Sequence, residues 1–352
     1  MIGGLDEKLS DFHLSCEKTA VLPSDSVLLD VSVIIVSFNT RTMLRESLES
    51  VDREVGALRV EVFVVDNGSA DGSPEMVEKE FPHVQLIRSA ENLGFGAANN
   101  LAIAAARGRY VVLLNSDAFL CPLSLQTAVE HMELSPRGAL AGGQLVGRDR
   151  SWQPSARMFP HVITDAFVLT GLAAKFPNSR FLGRFDRTWA DPAQASEVDW
   201  VPGAFSIIRT EVLRKVGSFD PRFFLYAEEV DLCRRIKKAG HQIWYWPDVQ
   251  VVHIGGESSR RLDEAGLSAA GRQIVRWRMR STLLYYRKHH GAMAWMAKWL
   301  EIAMYELSAL RNRFRKEPRR TLKIEANRSL AECMRRAWKE TQGGRVSPSR
   351  PW

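Results

Sequence analysis

The chain has 352 residues, 45% of them hydrophobic and 25% charged, a balance that excludes a disordered or fibrous protein and suits one large α/β domain with additions or two domains. Its net charge of +7 is unevenly placed: residues 272–352 carry 20 Lys and Arg against 6 Asp and Glu, which leaves −7 for residues 1–271 and argues against a nucleic-acid-binding main domain. Cys16, Cys121, Cys233 and Cys333 lie far apart without a CxxC pair, so neither a zinc knuckle nor a disulfide scaffold is expected, and a reducing cytosol fits.

Residues 1–28 read as a loosely packed extension; their acidic start lacks the basic flank and apolar core of an export signal. From residue 31 strands and helices alternate. VSVIIVSF (31–38) and VEVFVVD (60–66) are Val/Ile-rich strands separated by a helix with Met43, Leu44, Leu48 and Val51 on its apolar stripe. VQLIR (84–88) is a third strand, residues 94–108 a helix ended by Gly108, and YVVLL (110–114) a fourth strand. The spacing predicts an α/β fold with a mainly parallel sheet and helices on both faces. Prolines at 122, 136, 154, 160 and 177 then mark loops before a second ordered block, Val198 to His253. A boundary is expected near Gly255-Gly256, giving a catalytic domain over 29–255 (halves 29–120 and 121–255) and a basic, amphipathic helical region over 256–352.

Chemistry gathers where strands end. Asp66 closes the second strand and opens the turn Asn67-Gly68-Ser69; it suits hydrogen bonds from a nucleotide, or is a plain Asx turn. ENLGFGAANN (91–100) nearly matches a dinucleotide fingerprint, but Asn99 stands where a third glycine belongs and Ser89 to Leu93 intervene after the strand. A loop that lets a helix N-terminus approach a nucleotide is the preferred reading there. After the fourth strand, Asn115, Ser116 and Asp117 present oxygen ligands suited to Mg²⁺ or Mn²⁺ shared with a phosphate, or cap the next helix. Glu228, Glu229 and Asp231 crowd the start of a helix ending near Gly240; they are helix-terminal acids, or carboxylates screened by FFLYA and poised as a general base. His253 follows a β-branched run and is a core histidine or a further ligand beside Asp117, with Arg260 and Arg261 placed to close on a diphosphate.

In order along the chain, VSVIIVSFN, VVDNGSADGS, ENLGFGAANN, LLNSD, PSARMFP, PGAF, FFLYAEEVDL and VVHIGGES resemble family 2 glycosyltransferases of the GT-A fold, most closely the rhamnosyltransferase-like branch of bacterial polysaccharide biosynthesis. The resemblance covers about residues 31–261. It implies an inverting transfer from a nucleoside-diphosphate sugar, dTDP-rhamnose first, to a hydroxyl of a glycan or lipid-diphosphate-linked glycan. It implies donor contacts from Ser37, Asn39, Asp66, Asn67, Asn92, Gly94, Asn99, Asn115, Ser116, Arg260 and Arg261, and Mg²⁺ or Mn²⁺ on Asp117 and His253. Glu229 is the implied base, with Glu228 second and Asp231 structural or acceptor-orienting. The sequence departs from the family twice, with Asn115 for the first Asp of the DxD pattern and Glu229 where Asp is frequent.

The chemistry is coherent by itself: an oxocarbenium-like transition state needs its leaving diphosphate neutralised and one base for the acceptor hydroxyl. A sugar-nucleotide pyrophosphorylase should carry a Gly-rich basic loop after its first strand, where SFNTRTM stands instead. A non-catalytic nucleotide- or nucleic-acid-binding protein would not need the site residues close together. In the tail, Met293, Met296, Leu300, Met304, Leu307 and Leu310 recur at helical spacing with Trp295, Trp299 and Tyr305, followed by Arg311, Arg313, Arg315, Lys316, Arg319 and Arg320. Lys298, Glu301 and Glu306 break the run, so the expectation is a cytoplasmic enzyme lying peripherally on the inner membrane face, or a helix packed on the catalytic domain or a dimer partner.

Overall fold

The computed structural model describes residues 29–255, 269–314 and 320–348. The first half alternates as expected: β1 (Val31–Ser37), α1 (Arg41–Glu54), β2 (Val60–Asp66), α2 (Ser73–Glu80), β3 (Gln85–Arg88), α3 (Phe95–Ala105) and β4 (Tyr110–Asn115). β1 is buried at every position but Val36, because helices cover both faces of the sheet and no solvent side exists to demand alternation. α1 lays Leu44, Leu48 and Val51 on that sheet at i, i+4, i+7. α3 stops at Ala105, short of the expected Gly108; that glycine lies against β1, its N–H donating to Ser32 Oγ at 2.9 Å.

The sheet order is β3-β2-β1-β4-β9-β6-β10-β5. Its first four strands are parallel, in a register that sets Ser37 beside Asp66 and Val36 beside Asn115, so three strands present their polar ends along one edge. The second half is mixed. β9 (Phe205–Arg209) is antiparallel to both β4 and β6 (Gly138–Val146), and β10 (Gln242–His253) is parallel to β6. Two reversals cancel, so β6 and β10 point the same way as β4 and His253 arrives at the edge where Asp117 stands. β5 (Ala118–Leu120) locks the arrangement by pairing antiparallel with β10, placing His253 opposite Ala118. β10 runs unbroken to His253, with a register break between Trp246 and Gln250 that accommodates Pro247.

Shorter pieces complete this half: α4 (Ser124–Leu134), β7 (Trp152–Gln153), α5 (Val162–Leu169), α6 (Leu172–Lys175), β8 (Ser196–Glu197), α7 (Thr210–Val216) and α8 (Glu228–Lys238). One apolar layer joins α1, α2 and α4 to the sheet, and another joins α3, α7 and α8. The C-terminal region forms α9 (Ala269–His290), α10 (Met293–Arg313) and α11 (Arg320–Glu340). α9 is no loose appendage: its Leu284, Tyr285 and Tyr286 are buried in the same core as Phe223 and Val230, while Val275, Met279 and Leu283 pack on α10 and α11.

Candidate active site

The edge defined by β1, β2, β4 and β10 gathers the candidate donor-side residues Ser37, Asp66, Asn115, Ser116, Asp117 and His253. Asp66 is 3% exposed; its Oδ2 accepts from the Ser69 N–H at 3.1 Å, three residues on, which closes the turn over Asn67 and Gly68, while its Oδ1 is buried without a partner. A buried carboxylate oxygen left unmatched is costly unless a ligand supplies a donor. Ser37, Thr40 and Ser116 form a hydroxyl chain, with 2.9 Å at each step, that ties the end of β1 to the 115–117 turn. The Asn115 N–H donates to the Ala204 carbonyl at 3.0 Å, so the PGAF segment braces that turn from β9.

Asp117 and His253 come together across the β5–β10 pairing, with His253 Nε2 at 3.6 Å from Asp117 Oδ1 and the Ile254 N–H on the Asp117 carbonyl. Gln153 fixes the imidazole: its Oε1 lies 3.0 Å from Nδ1 and its Nε2 donates to the His253 carbonyl at 2.8 Å. With Nδ1–H donating to that amide oxygen, the Nε2 lone pair faces Asp117, the tautomer a metal needs. Burial lowers the His253 pKa against the opposing pull of Asp117, which favours the neutral ring. Gly255 is required here because a Cβ would fall 1.9 Å from His253 Cε1, where the chain turns back across the ring. Among the described residues no group of three or more His, Cys, Asp or Glu could hold an ion, so a cation on Asp117 and His253 would draw further ligands from a substrate.

Several expected donor contacts have other duties. Asn67 uses both ends of its side chain inside the protein, donating to Asn92 Oδ1 and the Gly94 carbonyl and accepting from the Leu93 N–H. Asn92 Oδ1 also accepts from the Gly94 N–H, so the pair stitches the 92–94 loop to the end of β2. Asn99 is 1% exposed and donates to the Phe95 carbonyl within α3, a core position with its Oδ1 unmatched. Asn39, exposed at φ 54°, caps the facing turn by accepting from the Ala70 N–H. Gly94 and Gly96 admit protein rather than a nucleotide: a Cβ on Gly94 (φ +81°) would lie 2.1 Å from the Phe224 carbonyl oxygen, and one on Gly96 would press on Phe219. This occupancy also removes the dinucleotide reading of that loop. Arg260 and Arg261 lie outside the described residues.

That packing holds the catalytic candidates. The segment before α8 is tied by the Phe95 N–H to the Phe224 carbonyl (2.9 Å), by Ser281 Oγ of α9 to the Leu225 carbonyl (2.7 Å), and by Trp277 against Phe224. Under this restraint Tyr226 and Ala227 both adopt left-handed backbone (φ 71° and 66°), strain of the kind stored where a side chain must be aimed. Glu228 and Glu229 follow at the N-terminus of α8, each with one buried oxygen lacking a partner. Burial, then the neighbouring Glu229, pushes the Glu228 pKa well up. Burial also raises Glu229, though the Arg157 charge opposes the rise. The rise is the stronger at Glu228, where the neighbouring carboxylate adds to burial, so Glu229 is the more readily ionised of the two and the better candidate to accept a proton.

Asp231 has no room for chemistry. It is 0% exposed, its Oδ1 bonded to His289 Nε2 at 2.6 Å and Lys288 Nζ at 2.7 Å and its Oδ2 to Arg235 Nε at 2.9 Å. Of its two expected roles the structural one fits. Thr40, Gln153, Arg157 and the α9 residues Ser281, Lys288 and His289 are the contributors that motif reading missed. Thr40 and Arg157 stood inside quoted segments, but nothing local marks the others.

Comparison with known proteins settles the family. Residues 32–217 match the model of Glycosyl transferase family 2. The chain is a member of that family. It is 28% identical over 285 residues to the N-acetylglucosaminyl-diphospho-decaprenol L-rhamnosyltransferase of Mycobacterium tuberculosis, an alignment covering 76% of this chain and 89% of the relative. The rhamnosyltransferase WbbL of Escherichia coli is 25% identical, with 72% and 92% covered. The mannosyltransferase PcManGT from Pyrobaculum calidifontis, solved with GDP-Man and Mn²⁺, superposes with a TM-score of 0.51 at 17% identity over 90% of this chain and 89% of that one, a likeness of fold. This family 2 glycosyltransferase has the expected GT-A architecture, with three C-terminal helices described.

Proposed function

We propose that this family 2 glycosyltransferase is an inverting, divalent-metal-dependent enzyme that transfers a sugar, rhamnose from dTDP-rhamnose first, to a hydroxyl of a lipid-diphosphate-linked glycan in bacterial surface polysaccharide synthesis. The carrying observation is the convergence of Asp117 and the Gln153-oriented His253 on one point of the edge that also holds the unmatched Asp66 oxygen. The donor set, one carboxylate and one neutral imidazole, fits Mg²⁺ or Mn²⁺, and PcManGT was solved with Mn²⁺. When bound, such an ion would neutralise charge on the departing diphosphate. Asp66 would accept a hydrogen bond from the nucleoside, and Ser37, Asn115 and Ser116 would line the path between. Rhamnose and a lipid-diphosphate acceptor are favoured because the aligned relatives are rhamnosyltransferases, one named for a diphospho-decaprenol acceptor.

The reaction needs one base. Glu229 takes the proton of the acceptor hydroxyl as its oxygen bonds to the anomeric carbon and the bond from that carbon to the diphosphate oxygen breaks, with the electron pair leaving on the nucleoside diphosphate. Attack opposite the leaving group inverts the centre, and no second carboxylate is required because the leaving group is already good. The loop after β1 leads straight into α1 at Arg41 without a glycine, which continues to weigh against a pyrophosphorylase.

The test is a panel of nucleotide sugars assayed for binding and turnover with Mg²⁺, with Mn²⁺ and with excess chelator, on the parent, Asp117→Ala and His253→Ala. Metal-stimulated turnover of one donor, lost in both variants while their melting temperatures hold, is expected. Full activity in chelator would overturn the metal assignment, and dTDP-rhamnose failing where another donor succeeds would overturn the donor.

A further inference from the structure

α10 has apolar residues around most of its circumference, and the fold uses only one side. Ala294, Ala297, Ile302 and Ala309 are buried, and Met293 and Leu300 pack against the main core. On the opposite side Met296, Trp299, Ala303, Leu307, Leu310 and Phe314 succeed one another in steps of three or four, which keeps them on one helical face about 27 Å long. Trp299 is 45% exposed, Leu307 59% and Phe314 82%, and Trp295, 56% exposed, meets Trp299 edge-on at 6.2 Å. A continuous apolar stripe of this kind marks a binding surface.

We propose that this outer face of α10 lies on an anionic lipid bilayer. Charge selects that occupant. Arg311 and Arg313 are exposed in the last turn of α10, and Arg320 and Arg328 are exposed on α11. Residues 272–352 carry +14 while the rest of the chain carries −7. A two-fold contact with a second copy would bring this basic margin against its own likeness, whereas anionic headgroups complement it and indole rings favour the headgroup layer. Among the described residues no helix is long and apolar enough to cross a membrane, so the geometry is that of a helix lying in the surface. α10 packs on α9, and α9 holds the loop before Glu229 through Ser281, so a docked α10 would carry the catalytic helix to the layer where a lipid-linked acceptor is anchored.

The inference deepens the transferase reading by naming its membrane face, but binding is tested separately from turnover. The full chain is sedimented with vesicles of phosphatidylcholine alone and of phosphatidylcholine mixed with phosphatidylglycerol, at low and high salt. Trp299→Gln/Leu307→Gln/Leu310→Gln and Arg311→Gln/Arg313→Gln are run beside it, with hydrolysis of the soluble donor as a control for folding. Salt-sensitive binding to the mixed vesicles is expected, weakened at least tenfold by the apolar triple and severalfold by the arginine pair, with donor hydrolysis unchanged in both. Parent protein that stays in the supernatant at low salt, or a triple variant that sediments like the parent, overturns the proposal. So does a dimer in light scattering that the triple variant dissolves while vesicle binding is absent, which would give the face to a second copy. Loss of donor hydrolysis in the parent itself would strike the transferase reading and leave the membrane result standing.

Discussion

Replacing Asp231 by Asn should destabilise this protein rather than alter its chemistry. The carboxylate is fully buried and takes hydrogen bonds from Arg235 of its own helix and from Lys288 and His289 of α9, and Lys288 Nζ also reaches Asp220 at 2.7 Å. Asparagine preserves the shape but removes the charge, and one of its two positions becomes a donor facing donors. Removing one partner of a buried ion pair costs about 3–5 kcal/mol. At about 2–4 °C per kcal/mol for large domains, the melting temperature should fall by roughly 6–20 °C. Burial alone would raise the Asp231 pKa, but the hydrogen bonds and charges of His289, Lys288 and Arg235 leave it below the ordinary 3.8. A depressed carboxylate contributes stability that is present above its unfolded pKa and lost as pH falls through the folded value, so the gap between parent and variant should close below about pH 4. Thermal unfolding by circular dichroism from pH 3 to 8, with donor turnover measured well below both transitions, checks the argument. An unchanged melting temperature with turnover abolished would refute it and make Asp231 a reacting group.

Glu229→Gln should leave donor binding intact and lower turnover by roughly 10²- to 10⁴-fold, and Glu228→Gln should cost less; rates in the reverse order would exchange the two roles. Gln153→Ala frees the His253 ring, so metal affinity measured by calorimetry with donor present should weaken by about 10- to 100-fold while the unfolding transition stays near the parent's; unchanged affinity would remove Gln153 from the site. Gly94→Ala places a methyl group on the Phe224 carbonyl at positive φ and should cost about 1–3 kcal/mol in backbone strain alone, read by urea denaturation; a variant as stable as the parent would show that the loop before α8 yields freely. Burial pushes the Asp165 pKa to about 6 despite the Tyr286 hydroxyl that donates to it, so the folded protein holds a proton the unfolded chain releases near 3.8. Its contribution therefore falls as pH rises from about 4 to 6, and Asp165→Asn should match the parent near pH 4 and exceed it by up to about 2–3 kcal/mol at pH 7; an equal offset at both pH values would contradict this.

Much of this molecule was written locally. The Val/Ile runs of β1, β2 and β4 and the Leu44, Leu48, Val51 stripe follow from the periods of strand and helix, and a parallel sheet then sends the strand-end residues Ser37, Asp66 and Asn115 to one edge. The acids at the head of α8 were legible for the same reason, since an apolar run followed by carboxylates already implies burial of charge. What tertiary structure alone decided depends on contacts between distant segments. His253 meets Asp117 only because β9 reverses the chain between two strands of like direction, and Gln153 joins them from a two-residue strand with no pattern of its own. Asn67 and Asn92 read as open ligand donors, yet each spends its side chain on the other's loop, because an amide exposes its partners only once the chain has folded around it. Asp231 could be structural or acceptor-orienting by sequence, and only α9, which brings Lys288 and His289 to it, favours the structural role. α10 shows the limit most plainly: with apolar residues on nearly every side, periodicity could not say which would be covered. The packing of α9, α5 and α11 buried Ala294, Ile302 and Ala309 and left Trp295, Trp299 and Leu307 facing outward.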